Sequence, residues 1–196
     1  NAINAIDVAH AERCPLPYQS SMIDDCIAKG KALQEGGAHY NFSGPQGFGI
    51  ANMTDALYAI KKLVYEEKKL TIEEMKEALD YNYGQGFGTT KAQEVTEQIA
   101  KQLIAAGQKV GAEEIAMIYK QVMADSMNHP KKARFEEIRA MIDTVPKYGN
   151  DNEEVDLFAR DVAYTYTKPL LGYMNPRGGI FQAGLYPVSA NVPLGA

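Results

Sequence analysis

With 196 residues, 45% of them hydrophobic, the chain is long enough to bury a real core as one domain or as two. Lys and Arg number 20 against 25 Asp and Glu, and the net charge of −5 argues against a nucleic-acid or membrane-surface partner, which demands a basic face. No apolar run approaches the roughly 20 residues of a membrane span, and no basic stretch followed by an apolar one marks a secretion signal. Cys14 and Cys26 are too few for a disulfide framework and fit a reducing cytoplasm. The chain does not start with Met, and both ends read as cuts in a longer protein.

The first predicted element is a helix over 4–13, ended by Cys14-Pro15-Leu16-Pro17. Ser20 is the candidate N-cap of a helix to Lys31, with Met22, Ile23, Ile27 and Leu33 as its apolar stripe and Gly36-Gly37 as its stop. Ala38-His39-Tyr40-Asn41-Phe42, aromatic and bounded by glycines, predicts a strand near 38–43. Ser43-Gly-Pro-Gln-Gly-Phe-Gly49 invites comparison with phosphate loops, whose backbone N–H groups face anions. Its spacing fits neither a dinucleotide fingerprint nor a P-loop. It reads instead as a strand-to-helix turn, with Asn52 as N-cap and Asp55 three residues on.

The clearest helix runs from about Met53 to Glu67, on Met53, Ala56, Leu57, Ile60, Leu63 and Val64. Thr71-Ile-Glu-Glu74 is a capping box for a helix that faces Ile72, Met75 and Leu79 inward and ends near Asn82-Tyr83-Gly84. Helices over about 90–106 and 112–127, with Gly107 and Gly111 bounding the turn, predict a helical hairpin. A short helix over 135–142 leads into Val145-Pro-Lys-Tyr-Gly-Asn-Asp151. There Asp151 is the candidate cap, with Glu154 at the capping-box position, of a helix burying Val155, Phe158, Val162 and Thr165. Asn175-Pro176 and Gly178-Gly179 then signal a turn into the β-prone Ile180, Phe181, Leu185, Tyr186 and Val188, a short strand within 180–188. A polar-tipped loop of Ser189, Ala190 and Asn191 follows. The fold class is thus α/β and predominantly helical.

Few residues suggest chemistry. His10, His39 and His129 are far apart, and none stands at metal-ligand spacing from another His or Cys. Glu66-Glu67, Glu73-Glu74 and Glu113-Glu114 are adjacent rather than facing pairs on polar helix faces. Cys14 precedes a proline in a turn and Cys26 follows two aspartates, and both are read as structural. No Gly-x-Ser-x-Gly elbow is present.

Three runs carry a resemblance. The first is Gly36-Gly-Ala-His-Tyr-Asn41 with Gly44-Pro-Gln-Gly-Phe-Gly49, followed by Asp55-Ala-Leu57 and Ile60-Lys-Lys-Leu-Val64. The second is Pro146-Lys-Tyr-Gly-Asn-Asp151, and the third extends from Asn175-Pro-Arg-Gly-Gly through Gly184-Leu-Tyr-Pro-Val-Ser-Ala-Asn-Val-Pro-Leu-Gly195. Together they resemble the glycyl radical enzymes, the family of pyruvate formate-lyase, the glycerol and propanediol dehydratases, 4-hydroxyproline dehydratase and choline trimethylamine-lyase.

The resemblance implies an internal segment, 3–196, of a pyruvate formate-lyase-like α/β barrel with outer helices. A helical insertion over about 85–134 stands where compact members carry a short connection. The parent enzyme would store a glycyl radical near its C-terminus, oxidise a cysteine to a thiyl and abstract hydrogen from substrate. A separate S-adenosylmethionine-dependent iron–sulfur activase would install the radical. Neither the Gly-Cys-x-Glu context of that cysteine nor the glycyl loop occurs in these residues. No catalytic residue, bound cofactor or metal is therefore assigned, and the fragment alone is expected to be inactive.

Tyr186, Val188, Ser189, Ala190 and Asn191 are the residues expected to approach the substrate cavity. The implied partners are the rest of the parent chain, the activase and a second copy, in the cytoplasm or a bacterial microcompartment. The glycine turn and the Tyr186 run look more like the diol and hydroxyproline dehydratases, which favours removal of water from a small hydroxylated substrate over formate C-acetyltransferase chemistry. The alternative of a different class is a stand-alone helical module that binds a partner through the 90–127 hairpin. Barrel strands without their neighbours are expected to leave sheet edges open and promote self-association.

Overall fold

The computed structural model describes residues 1–186. In chain order they form α1 (Ala2–Arg13), α2 (Pro17–Ser21), α3 (Cys26–Lys29), β1 (Gln46–Gly47), α4 (Ile50–Ile60), α5 (Ile72–Asp80), α6 (Thr89–Ala105), α7 (Ala112–Met127), α8 (Lys132–Thr144), α9 (Glu153–Thr167) and β2 (Gly184–Leu185). Single 3₁₀ turns occupy Leu33–Glu35, Asn82–Gly84 and Lys168–Leu170, and a π-helical turn spans Lys61–Glu66. The structure is predominantly helical, as the periodicities predict. It divides into two compact units: Asn1–Asp55 with the described residues from Tyr148 onward, and Ala56–Lys147.

In the first unit the expected helix from Ser20 to Lys31 is two short turns, α2 and α3. Asp25 stands between them in the left-handed region at φ 73°, which a continuous helix cannot contain. Ser20 does not cap: its hydroxyl donates to the Leu16 carbonyl at 2.7 Å and accepts from the Leu33 N–H at 3.0 Å. Met22, Ile23 and Ile27, the expected apolar stripe, are exposed.

The strand expected near 38–43 is also absent as such. Asn41 is occupied in turn bonds, its Nδ2 donating to the Gly36 and Ala38 carbonyls, and only Ser43 enters a β-bridge, with Phe181. Regular pairing begins at β1, which runs parallel to β2 with Gln46 opposite Gly184 and Gly47 opposite Leu185. The described part of the strand expected over 180–188 is therefore bridged at Ile180 and Phe181 and regular at β2.

Asn52 lies inside α4 rather than capping it. Gly49, at φ +78°, turns the chain, and its carbonyl accepts the Met53 N–H at 2.9 Å as the helix begins. Asp151 adopts φ 57°, so Asn152 caps α9 instead, its Oδ1 accepting the Val155 N–H at 3.2 Å. Of the stripe expected on α9, Val155 is buried together with Ala159, whereas Phe158 and Val162 are half-buried and Thr165 is exposed.

The second unit holds the larger apolar side chains. Tyr58, Leu63, Phe135 and Ile138 are fully buried, joined by Leu70, Met75 and Ala78. Each such large side chain contributes about 1.5–3 kcal/mol of burial. Tyr81 packs its ring against Phe87 at 4.5 Å, His129 at 4.1 Å and Phe135 at 5.5 Å.

The capping box of α5 forms as its sequence predicts. Thr71 Oγ1 accepts the Glu74 N–H at 3.1 Å, and Glu74 Oε2 accepts the Thr71 N–H at 3.0 Å. That bond from Thr71, with the Arg134 guanidinium as a lesser cause, holds the Glu74 carboxyl below its usual range. Of the residues expected to face inward, Met75 does, while Ile72 and Leu79 are exposed.

α6 and α7 pack on one another and bury small residues, Ala92, Thr96 and Ala100 on α6 and Val122 and Ser126 on α7. The Phe87 N–H, just before α6, donates to Ser126 Oγ at 3.0 Å. Beyond α4 the chain winds into the π-turn, where the Glu67 N–H reaches back five residues to the Lys62 carbonyl at 2.8 Å.

Candidate functional site

The first unit brings together parts of the sequence's three notable runs: residues 36–55, residues 148–151 and the described residues from Asn175 onward. The Ser43 N–H donates to the Ile180 carbonyl at 3.0 Å, and the Ser43 carbonyl accepts the Gln182 N–H at 2.8 Å. Further along, the Gly184 N–H donates to the Pro45 carbonyl at 3.0 Å, and the Tyr186 N–H donates to the Gly47 carbonyl at 3.3 Å. The glycine turn and the C-terminal run thus form one parallel ladder. Asp55, in the first run, accepts the Tyr148 N–H of the Pro-Lys-Tyr-Gly-Asn-Asp run at 2.8 Å.

Two glycines permit this close approach. A Cβ on Gly179 would overlap the backbone of Asn41, and a Cβ on Gly47 would lie 2.5 Å from Cε1 of Tyr166. The Tyr166 hydroxyl donates to the Pro45 carbonyl at 2.6 Å, which fixes the ring across β1.

The turn at 175–179 is organised by Asn175, which is buried. Its Oδ1 accepts the N–H groups of Arg177 at 3.0 Å and Gly179 at 2.9 Å, while its own N–H donates to the Gly179 carbonyl at 2.8 Å. Its Nδ2 donates to the Asn41 carbonyl and to Ser43 Oγ. Arg177 Nε donates to Asp7 Oδ2 at 3.2 Å, and both side chains are mostly shielded, 17% and 16% exposed. Asp7, Ser43, Asn175 and Arg177 therefore form one polar cluster across parts of the chain far apart in sequence. Sequence reasoning missed Asp7 and Tyr166, because their partners lie 170 and 121 residues away.

Of the residues expected near a substrate cavity, Tyr186 stands at the end of the ladder with its side chain 56% exposed. Val188, Ser189, Ala190 and Asn191 lie outside the described residues. Cys14 is exposed and Cys26 buried. His39 Nδ1 meets Asp25 Oδ2 at 2.9 Å, and His39 first, then Lys29, holds the Asp25 carboxyl below its usual range. Among the described residues no three His, Cys, Asp or Glu side chains converge as a metal site, and no helix is long and apolar enough to cross a membrane.

Residues 1–195 match the family model described as pyruvate formate lyase-like. The chain belongs to the pyruvate formate lyase-like family. Among its relatives in this family of glycyl radical enzymes, the (2S)-3-sulfopropanediol dehydratase of Klebsiella oxytoca is 32% identical over 195 residues, covering 100% of this chain and 18% of that protein. A solved structure concerning 1,2-propanediol dehydration in Roseburia inulinivorans superposes with a TM-score of 0.79 at 58% identity, covering 98% of this chain and 23% of the other. The glycerol-bound form of the B12-independent glycerol dehydratase from Clostridium butyricum follows at a TM-score of 0.63 and 42% identity, covering 98% and 18%. The pyruvate formate lyase-like segment thus spans about a fifth of the length of these relatives.

Proposed function

We propose that this chain is part of a longer glycyl radical enzyme that eliminates water from a small hydroxylated substrate of the diol class. The observation that carries the reading is the 58% identity and TM-score of 0.79, over 98% of this chain, to the structure concerned with 1,2-propanediol dehydration. The dehydratase names among the other relatives support the same class over formate C-acetyltransferase chemistry.

In this reading the radical resides on a glycine elsewhere in the parent protein. A separate S-adenosylmethionine-dependent iron–sulfur activase installs it, and the described residues of this chain route no electron. Their task is to build wall: the ladder between 43–47 and 180–186 delivers Tyr186, and with it Val188, Ser189, Ala190 and Asn191, toward the substrate. Loss of a hydroxyl needs a proton donor and hydrogen-bonding groups around the polyol, since a buried polar group left unpaired is costly. Ser189 and Asn191 suit the second need, and the acid comes from the rest of the parent. The parent is read as a homo-oligomer working in the cytoplasm or a bacterial microcompartment.

The test is to express the intact parent with its activase under anaerobic conditions. Glycerol, 1,2-propanediol, trans-4-hydroxyproline, and pyruvate with coenzyme A are offered separately. Aldehyde formation from a diol is the expected result, and turnover of pyruvate alone overturns the reading.

A further inference from the structure

Ser43 Oγ makes every hydrogen bond open to a hydroxyl, one donated and two accepted. It accepts from Asn175 Nδ2 at 3.0 Å and from Arg177 Nη2 at 2.9 Å, and it donates to Asp7 Oδ2 at 3.4 Å. Arg177 closes the ring through Nε on Asp7 Oδ2 at 3.2 Å, and its Nη2 also reaches the Phe42 carbonyl at 3.4 Å. The backbone of the same serine begins the ladder, giving its N–H to Ile180 and taking the N–H of Gln182.

The regular part of that ladder is two residues per strand. So short a pair is marginal by itself, and its register is weakly specified unless something else pins it. A slip of one residue would turn every side chain of the 180–186 run to the opposite face. The polar cluster meets this need at the residue where pairing starts. Its guanidinium-to-carboxylate bond is charge-assisted and mostly shielded from water, which makes it stronger and more directional than a neutral contact.

We propose that Asp7, Ser43, Asn175 and Arg177 form a positioning device that fixes the register of the 180–186 strand and so sets Tyr186 for turnover. The assignment rests on the dehydratase reading above. The four residues act through the strand and do not themselves touch substrate. A simple strut would affect only stability. A positioning device affects the rate of the chemical step at constant radical content.

The experiment uses the full-length activated enzyme and the variants Asp7→Asn, Ser43→Ala, Arg177→Met and Arg177→Lys. Radical content is measured by electron paramagnetic resonance, kcat and KM with 1,2-propanediol, and amide exchange over the peptide containing 180–186. In Ser43→Ala and Arg177→Met, kcat per radical is expected to fall about tenfold to a hundredfold, as for a reacting group displaced by about 1 Å. Radical content should stay at the wild-type level, KM should change far less than kcat, and the amides of Gln182, Gly184 and Tyr186 should exchange faster. Arg177→Lys, which keeps the charge but not the fork, should recover part of the loss.

Faster exchange with unchanged kcat per radical makes the cluster a strut and overturns the proposal. Reduced kcat with unchanged exchange over 180–186 overturns it equally. Should Ser43→Ala fail to accumulate, Asp7→Asn leaves every backbone bond of the ladder in place and carries the same two readouts. Absence of diol turnover in the wild-type enzyme refutes the dehydratase reading and this assignment with it. Wild-type turnover with unaltered variants refutes this assignment alone.

Discussion

Gly47→Ala probes how β1 is held. The added Cβ would sit 2.5 Å from Cε1 and 2.7 Å from Cδ1 of Tyr166, about 1 Å inside an ordinary carbon–carbon contact. The ring cannot swing away freely, because its hydroxyl is bound to the Pro45 carbonyl at 2.6 Å. Moving the ring gives up that bond, worth about 1 kcal/mol. Forcing the strand aside instead incurs overpacking strain of about 1–3 kcal/mol. By either route the loss is about 1–3 kcal/mol, which for a chain of this size lowers Tm by about 2–12 °C. Tyr166→Ala removes the obstacle, so in that background Gly47→Ala should cost less than about 1 kcal/mol. Urea denaturation of the four proteins of this cycle measures the coupling. Equal penalties for Gly47→Ala in both backgrounds would refute the argument.

Other outcomes follow from the second unit and from the segment as a whole. Ile138→Ala removes a fully buried side chain and should cost about 2–5 kcal/mol by chemical denaturation; a loss below about 1 kcal/mol would mean that the site is not packed as described. Thr71→Ala should cost about 1 kcal/mol through the lost cap of α5. Because the carboxyl of Glu74 is held below its usual range, its contribution is present above the ordinary Glu value and lost as pH falls through the lower folded value. Glu74→Gln should therefore be less stable than wild type at neutral pH, with the gap closing below about pH 4.3; a gap that widens on acidification contradicts this sign. The isolated 196-residue chain, incubated with activase and S-adenosylmethionine, should yield no organic radical by electron paramagnetic resonance. A glycyl-type signal on it would sink the reading of these residues as wall.

Local signals in the sequence carried much of the helical structure. Thr71 and Glu74 stand three apart in front of an amphipathic run, and both halves of the capping box form. The glycine turn and the Asn175 turn were legible for a similar reason, since a residue at positive φ or an Asx bond depends on its immediate neighbours. What was hidden was whatever tertiary partners decide. Ser20 looks like an N-cap, yet the Leu33 N–H claims its oxygen. Ile72 and Leu79 have helical spacing, but Met75 and Ala78 take the interior of this unit. Ala38 to Phe42 has strand composition, but Asn41 is drawn into turn bonds to Gly36 and Ala38. Nothing near Asp7 in sequence announces that it faces Arg177. The cluster at Ser43 could be found only once the fold had brought the ends of the first unit together.

The way the first unit is divided along the chain also bears on its biosynthesis. Ala56–Lys147 is one uninterrupted stretch, so all of its residues are synthesised before the later part of the first unit. Ser43, by contrast, must wait 132 residues for Asn175 and 134 for Arg177. Joining the ends of a flexible loop that long costs about 4 kcal/mol of chain entropy. Prior folding of the intervening stretch shortens the effective loop and lessens that cost. The contiguous unit can therefore condense before the parallel ladder carrying Tyr186, whose second strand is made only after it, and long-range parallel pairing of this kind is intrinsically slow.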